Sequence, residues 1–190
     1  FTVNNFIANT VQDDGSRGLD DQYIKSGLAR LTWQVSNNNK LSAYFDEIDK
    51  YRGHDMQSNE DPETASVQWF SPAYHTAALK YTSTLSNAML FEAGYSRNLE
   101  YYTNSYQDGV EQPRFTSGWL AGASRLESDL GGRTTAATAQ NTQSPERHTM
   151  QASLTYLRGS HSFKAGVQYT WGDFWHTVDA NADLTQQYRS

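Results

Sequence analysis

Six stretches of this chain alternate between apolar and polar residues, a period that suits a β-strand with one dry face and one wet face. In "LARLTWQV", Ala29, Leu31, Trp33 and Val35 fall on one side and Arg30, Thr32 and Gln34 on the other. "KLSAYFD" sets Leu41, Ala43 and Phe45 against Lys40, Ser42, Tyr44 and Asp46. "TAALKYTSTL", "AMLFEAGYS", "TMQASLTYL" and "SFKAGVQYTW" repeat the pattern, with Leu90 as an exception. The connections are of two kinds. "SNNNK", "LSNA" and "RGSH" are short and rich in the Asn, Gly and Ser that tight hairpins use. Two others are long: the stretch around residues 51–74, and roughly forty residues from Tyr102 to Glu146. Short turns at one end and long loops at the other predict an all-β, antiparallel meander of transmembrane β-barrel strands. With about six strands it is a partial barrel, its short turns periplasmic and its long loops extracellular.

Composition agrees and excludes alternatives. Hydrophobic residues make up 37% and mean hydropathy is -0.76, with Tyr, at 12, the commonest aromatic. A net charge of -6 without a Lys/Arg run argues against nucleic acid as a partner. The absence of Cys removes disulfides, thiolate metal sites and Cys nucleophiles together. No apolar run reaches the ~18 residues of a membrane helix, and "FTVNNFIANT" lacks the charged start and cleavage site of a signal peptide. Tyr44, Tyr51, Trp69, Phe70, Tyr74, Tyr95, Tyr101, Tyr102, Trp171, Phe174 and Trp175 are expected at or beyond the long-loop ends of the strands. There a ring can sit at the membrane–water boundary.

The stretches "VNNFIANT", "GLARLTWQVSNNNKLSAYFDEIDKYRGHD", "WFSPAYHTAALKYTSTLSNAMLFEAGYS", "YYTNSYQDGVEQPR", "LGGRTTAATAQNTQSPERH" and "GSHSFKAGVQYTWG" together resemble the barrel of TonB-dependent outer-membrane receptors. The nearest likeness is to the Oar-like group, which carries an N-terminal carboxypeptidase-regulatory-like domain. The resemblance implies a 22-stranded barrel, closed by a plug domain, that imports a scarce solute (a carbohydrate or a siderophore-like compound) with energy passed on by TonB. Its implied partners are outer-membrane lipid, the barrel's own plug domain, the TonB complex and the solute. Residues 1–190 are then expected to be one slice of a single barrel domain, without its plug or the barrel's C-terminus, since no TonB box or terminal aromatic strand is recognisable.

No catalytic constellation stands out, so the chain is read as a non-enzyme without cofactor or metal. The five His form no H-E-x-x-H or other ligand spacing. His54 stands among Asp46, Glu47, Asp49, Asp55, Glu60, Asp61 and Glu63, where a divalent cation could bind, but a solvated loop explains the same composition. "DANAD" lacks the Gly and distant Glu of a calcium loop. The charges Arg30, Asp46, Lys80, Glu92 and Lys164 fall on the polar face, where cross-strand pairing is the expected role. Solute contact is expected from aromatics and arginines in or near the long loops: Trp69, Tyr101, Tyr102, Arg114, Trp119, Arg125, Arg133 and Trp175. Two readings compete with the receptor: a soluble secreted β-sheet module that binds glycans, and a passive porin or adhesin barrel.

Two outcomes test this reading. Arg in place of Leu154 or Val167 should block membrane assembly, because a charge at mid-membrane on the lipid face of a barrel costs roughly 2–4 kcal/mol. Arg in place of Ser153 or Gln168 should be tolerated, and heat-modifiable gel mobility of membrane fractions separates the two cases. For topology, a bulky impermeant maleimide applied to intact cells should label Ser117→Cys and spare Asn38→Cys.

Overall fold

The computed structural model describes residues 2–11, 14–57 and 59–189. Seven antiparallel strands form one sheet: β1 (Thr2–Val11), β2 (Arg17–Ser36), β3 (Asn39–Asp55), β4 (Val67–Ser86), β5 (Met89–Tyr106), β8 (Ala139–Arg158) and β9 (His161–Ala180). They pair in the order β1-β2-β3-β4-β5-β8-β9. Between β5 and β8 the chain forms a short helix α1 (Ser117–Ala121), β6 (Ser124–Glu127) and β7 (Arg133–Thr135). After β9, β10 (Thr185–Tyr188) pairs parallel with β6, which also pairs with β7. The large sheet is open, as a partial barrel is, with β1 and β9 as its edges.

Register turns the sequence alternation into two faces. Trp33 pairs with Leu41 and Leu41 with Tyr81; Leu79 pairs with Tyr95, Tyr95 with Met150, and Met150 with Tyr169. The apolar residues of all six alternating stretches therefore share one face. Among the described residues none packs over it: Leu31 is 67% exposed and Val167 70%. Two aromatic rows bound it on β4, β5, β8 and β9. Tyr81, Phe91, Tyr156 and Phe163 stand near the short turns, and Tyr95, Tyr169 and Trp171 stand farther up. From Phe163 to Trp171 is about 27 Å along the strand. At a tilt of about 35–45° that is roughly 19–22 Å of depth, close to the ~25 Å apolar band of a membrane barrel.

Just above the upper row the same face turns polar. Lys25 pairs with Asp49 at 3.9 Å, and Arg97 pairs with Glu146. His148 Nε2 is 3.0 Å from Glu146, and Nδ1 of the same ring shares a hydrogen bond of 2.7 Å with the Tyr95 hydroxyl. Charge becomes affordable at this level because water or headgroups solvate it.

The strands run well past this level. Three turns of two residues, at Asn37–Asn38, Asn87–Ala88 and Gly159–Ser160, close the lower end. Gly159 takes φ +61°, a conformation that favours glycine. At the upper end β4, β8 and β9 are 20 residues long and β5 is 18. A membrane strand needs only about 9–11. The aromatics expected at strand ends therefore stand inside strands, and the long connections shrink to 56–66 and 107–138. The sheet also has one strand more than the six that the alternation picks out. "TVNNFIANTV" forms β1 although its paired NN and FI break the period.

The two upper loops and the segment after β9 pack together into a cap, which holds a small buried apolar cluster. Tyr106, Val110 and Ala137 form it, with Val67 and Ala136 against them. Polar ties do most of the fastening. Asn181 is buried and its amide donates to the carbonyls of Gly122 (2.9 Å) and Ala137 (3.0 Å). The Gln107 amide donates to Gly53 O (2.7 Å) and Ser66 Oγ (2.9 Å). The Tyr106 hydroxyl donates to Asp179 O at 2.8 Å, and burial, helped by nearby Asp179, pushes its pKa up to about 12.

Asp61 and Arg133 join the two loops. Arg133 Nη2 lies 2.7 Å from Asp61 Oδ2, while Asp61 Oδ1 accepts from the backbone N–H of Glu63 and Thr64 and from the Thr64 hydroxyl. Burial pushes the Asp61 carboxyl up, but these donors outweigh it and hold its pKa below the ordinary 3.8. A depressed carboxylate stabilises the fold fully above its unfolded pKa. That contribution is lost as pH falls through the lower folded value. Asp61→Asn or Arg133→Gln should therefore loosen the cap, each by about 1.5–3 kcal/mol. Limited proteolysis should then cut within 56–66 and 107–138 at neutral pH. The unsubstituted protein should become cleavable there by an acid-active protease only below about pH 4.

Candidate functional site

The upper half of the polar face carries the site. It begins with a break in β4. The register of β4 against β3 slips between Ile48 and Lys50, and against β5 between Phe70 and Ala73. Pro72 lies at the slip. Proline has no N–H to give the ladder and is accommodated at bulges. Ser71 Oγ donates to Tyr101 O at 3.0 Å, supplying a bond where Pro72 cannot. The bulge inserts one residue and so reverses which β4 residues face which way. Below it Ala77 and Leu79 belong to the apolar face; above it Phe70 does, and Trp69 turns to the polar face.

Trp69 thereby meets Tyr102 of β5, with ring centroids 5.6 Å apart and planes tilted by 38°. Lys50 of β3 completes the group: its Nζ is 4.2 Å from the Tyr74 ring centroid and 5.8 Å from that of Trp69. Such cation–π contacts hold an ammonium beside a ring without neutralising it. Across the ladder from Trp69 stands Asn104, and beyond it Asn141. These two amides help line a polar hollow of about 210 Å³ under the cap, with Asp55, Gln57, Glu60 and Thr138 among its other walls. The side-chain oxygen of Asn104 is buried and accepts no hydrogen bond. Burial also raises the pKa of Asp55 and of Glu60 above the ordinary carboxylate values. An aromatic pair, a cation and two amides, one with an orphaned acceptor, side by side can stack a ring and pair its hydroxyls.

Of the residues expected to touch solute, Trp69 and Tyr102 come together here. Tyr101 and Trp175 do not: by register both fall on the apolar face, Tyr101 opposite Ala73 and Trp175 opposite Ser144. The others belong to the cap. Arg114 lies 3.1 Å from Asp183 and 5.9 Å from the Trp119 ring, beside a hollow of only about 30 Å³. Arg125 donates to Ala121 O at 2.8 Å, and Arg133 holds Asp61. Lys50, Tyr74, Asn104 and Asn141 escape a sequence reading. Their segments lie above the membrane, where no alternation marks the inner side.

The acidic stretch resolves into ties. His54 stands in β3, its Nδ1 2.8 Å from Asp21 Oδ1. Arg52 bridges Asp20 and Asp55, and Glu60 accepts from Gln57 N at 2.7 Å. Among the described residues no three His, Asp or Glu converge to hold a metal ion. Lower on the polar face, Arg30 packs over the Tyr44 ring at 5.6 Å, and the Tyr44 hydroxyl donates to Asp46.

Comparison with known proteins fits this architecture. A family model described as an outer membrane beta barrel domain matches residues 3–189. No curated protein and no solved structure matches. The match spans nearly the whole chain, and it explains the unpartnered apolar face as a lipid-facing one in place of the core of a soluble module. The chain belongs to the outer membrane β-barrel domain family, and its place is the bacterial outer membrane.

Proposed function

We propose that this chain is wall and cap of a TonB-dependent receptor that captures a scarce carbohydrate at the upper inner face. The observation that carries the solute class is the Trp69–Tyr102 pair beside the unsatisfied Asn104 oxygen. Sugars offer a ring face of C–H groups for stacking and hydroxyls for amides, and this site supplies both partners. A siderophore-like ligand, acidic and metal-laden, would call for several unpaired cations, whereas the cap arginines Arg114 and Arg133 already have carboxylate partners. The TonB assignment rests on the sequence resemblance. It makes a plug domain and the TonB complex the proposed partners, and a binding and transport role, without catalysis, the proposed activity.

The test is binding and uptake by the full-length protein. Calorimetric titration with a panel of oligosaccharides and ferric siderophores should find a sugar ligand. Trp69→Ala or Tyr102→Ala should weaken it roughly fivefold or more, the loss of about 1 kcal/mol of ring contact. Asn104→Ala should cost a similar factor. Tyr101→Ala and Trp175→Ala, on the outward face, should leave affinity unchanged. Uptake that persists undiminished without the TonB complex would assign the barrel to the passive porins instead.

A further inference from the structure

A second feature of the polar face lies at its opposite end, near the short turns. Lys80 on β4 and Lys164 on β9 both reach Glu92 on β5: Lys80 Nζ is 2.6 Å from Oε1 and Lys164 Nζ 3.0 Å from Oε2. Strand β8 stands between β5 and β9, so Lys164 crosses an entire strand to arrive. The way is open because Ser153 and Gly166, which pair on that face, are small. A Cβ on Gly166 would lie 2.9 Å from the Ala152 carbonyl oxygen and 3.0 Å from Ser153 Cβ. The outcome is a hollow of about 460 Å³ whose polar walls are Lys80, Glu92, Gln151, Ser153, Lys164 and Gln168.

The charges do not cancel. Two ammonium groups share one carboxylate, and one positive charge is left over. Each lysine side chain is more than half exposed (54% and 58%), and an ammonium has three N–H donors, of which one suffices for Glu92. The Gln151 and Gln168 amides and the Ser153 hydroxyl add donors. A cross-strand tie would need only Lys80, whose strand adjoins that of Glu92. The second lysine, drawn across β8 over a floor of small residues, is surplus to that purpose.

We infer that this hollow is an oxyanion site: it takes a carboxylate or phosphate group inside the barrel, between the two ammonium groups and the amides. The site is separate from the aromatic pair and does not rest on the carbohydrate reading. Its occupant is either a small anion in passage or an acidic side chain of the protein's own interior.

The experiment uses the full-length protein in detergent, with Ser153→Cys or, should that variant fail to fold, Gln168→Cys. Its rates of mixed-disulfide formation with methanethiosulfonates of opposite charge, a sulfonate and a trimethylammonium, are compared, methanesulfinate being the leaving group in both. The sulfonate should react faster, and inorganic phosphate should slow it. Adding Lys80→Gln and Lys164→Gln should lower the sulfonate rate by about fivefold per lysine, the effect of a unit charge some 4 Å away in water, and raise the trimethylammonium rate by a similar factor. Heat-modifiable gel mobility confirms that each variant is folded. A cysteine shielded from both reagents until the lysines are replaced would support the site and identify the occupant as the protein's own acidic side chain. Equal rates for the two reagents, insensitive to phosphate and to loss of the lysines, would overturn the assignment.

Discussion

Everything in this chain depends on the backbone ladder of the large sheet. In hydrocarbon an unpaired N–H or C=O costs several kcal/mol, so a strand that enters lipid must bond its neighbours along its length. Between the short turns and the upper aromatic row the ladder runs without a slip outside the turns themselves, from Ser26 opposite Ile48 to Thr149 opposite Thr170. With the backbone fixed, side chains have only two directions to go. Lipid on one side and water on the other then dictate the residue type at each position. The alternation in the sequence is the trace of that division. The charged row at Lys25, Asp49, Arg97 and Glu146 marks where the lipid side gives out.

Above that row the constraint relaxes, and the structure changes character. With water available on both faces a missed ladder bond costs little, and irregularities gather: the slip at Pro72, a further one between Arg52 and Asp55, and a gap in the β5–β8 pairing around Pro145. The strands continue there with ring contacts such as Trp69 on Tyr102 and Tyr51 on Phe70. Interlocked loops take over the role of a core. The cap is assembled from side-chain amides and carboxylates reaching backbone groups, as Asn181, Gln107 and Asp61 do, with only a small apolar cluster at Tyr106 and Val110.

That boundary also decides what the sequence could reveal. Where lipid enforces alternation, six strands, their faces and the three turns are legible, and Leu31, Leu79, Leu154 and Val167 fall on the face the pattern assigns them. Where it does not, the strand ends are invisible, and the sequence reads Tyr102 to Glu146 as loop although β5 and β8 run well into it. β1 is missed for the same reason. The aromatic candidates divide along this line. Trp69 and Tyr102 meet only because the bulge at Pro72 turns Trp69 inward, a one-residue event that leaves no periodic signal. Tyr101, next to Tyr102, is sent to the other face by parity alone. Composition could suggest aromatics and arginines as solute contacts; only register could separate those that face the interior from those that do not.

The same parity gives the interior wall its division of labour. In the wet upper half, stacking groups are available because rings there need not face lipid to be covered: Trp69 and Tyr102 lie against each other, and Lys50 sits against Trp69 and Tyr74. In the lower half the inward positions belong to strands whose outward positions are committed to Leu, Ala and aromatic residues. Inward side chains must there be wettable, as the phenol of Tyr44 is. Charge and amide are what such a wall can offer, and Lys80, Glu92, Lys164, Gln151 and Gln168 are what it carries. A solute moving along this wall from cap to turns would pass from contacts that read shape and hydroxyl pattern to contacts that read charge. On the proposed carbohydrate reading the selective step falls at the upper end, where the backbone is free to bulge and so to aim a side chain. The lower end, held straight by lipid, is left with charge and amide contacts.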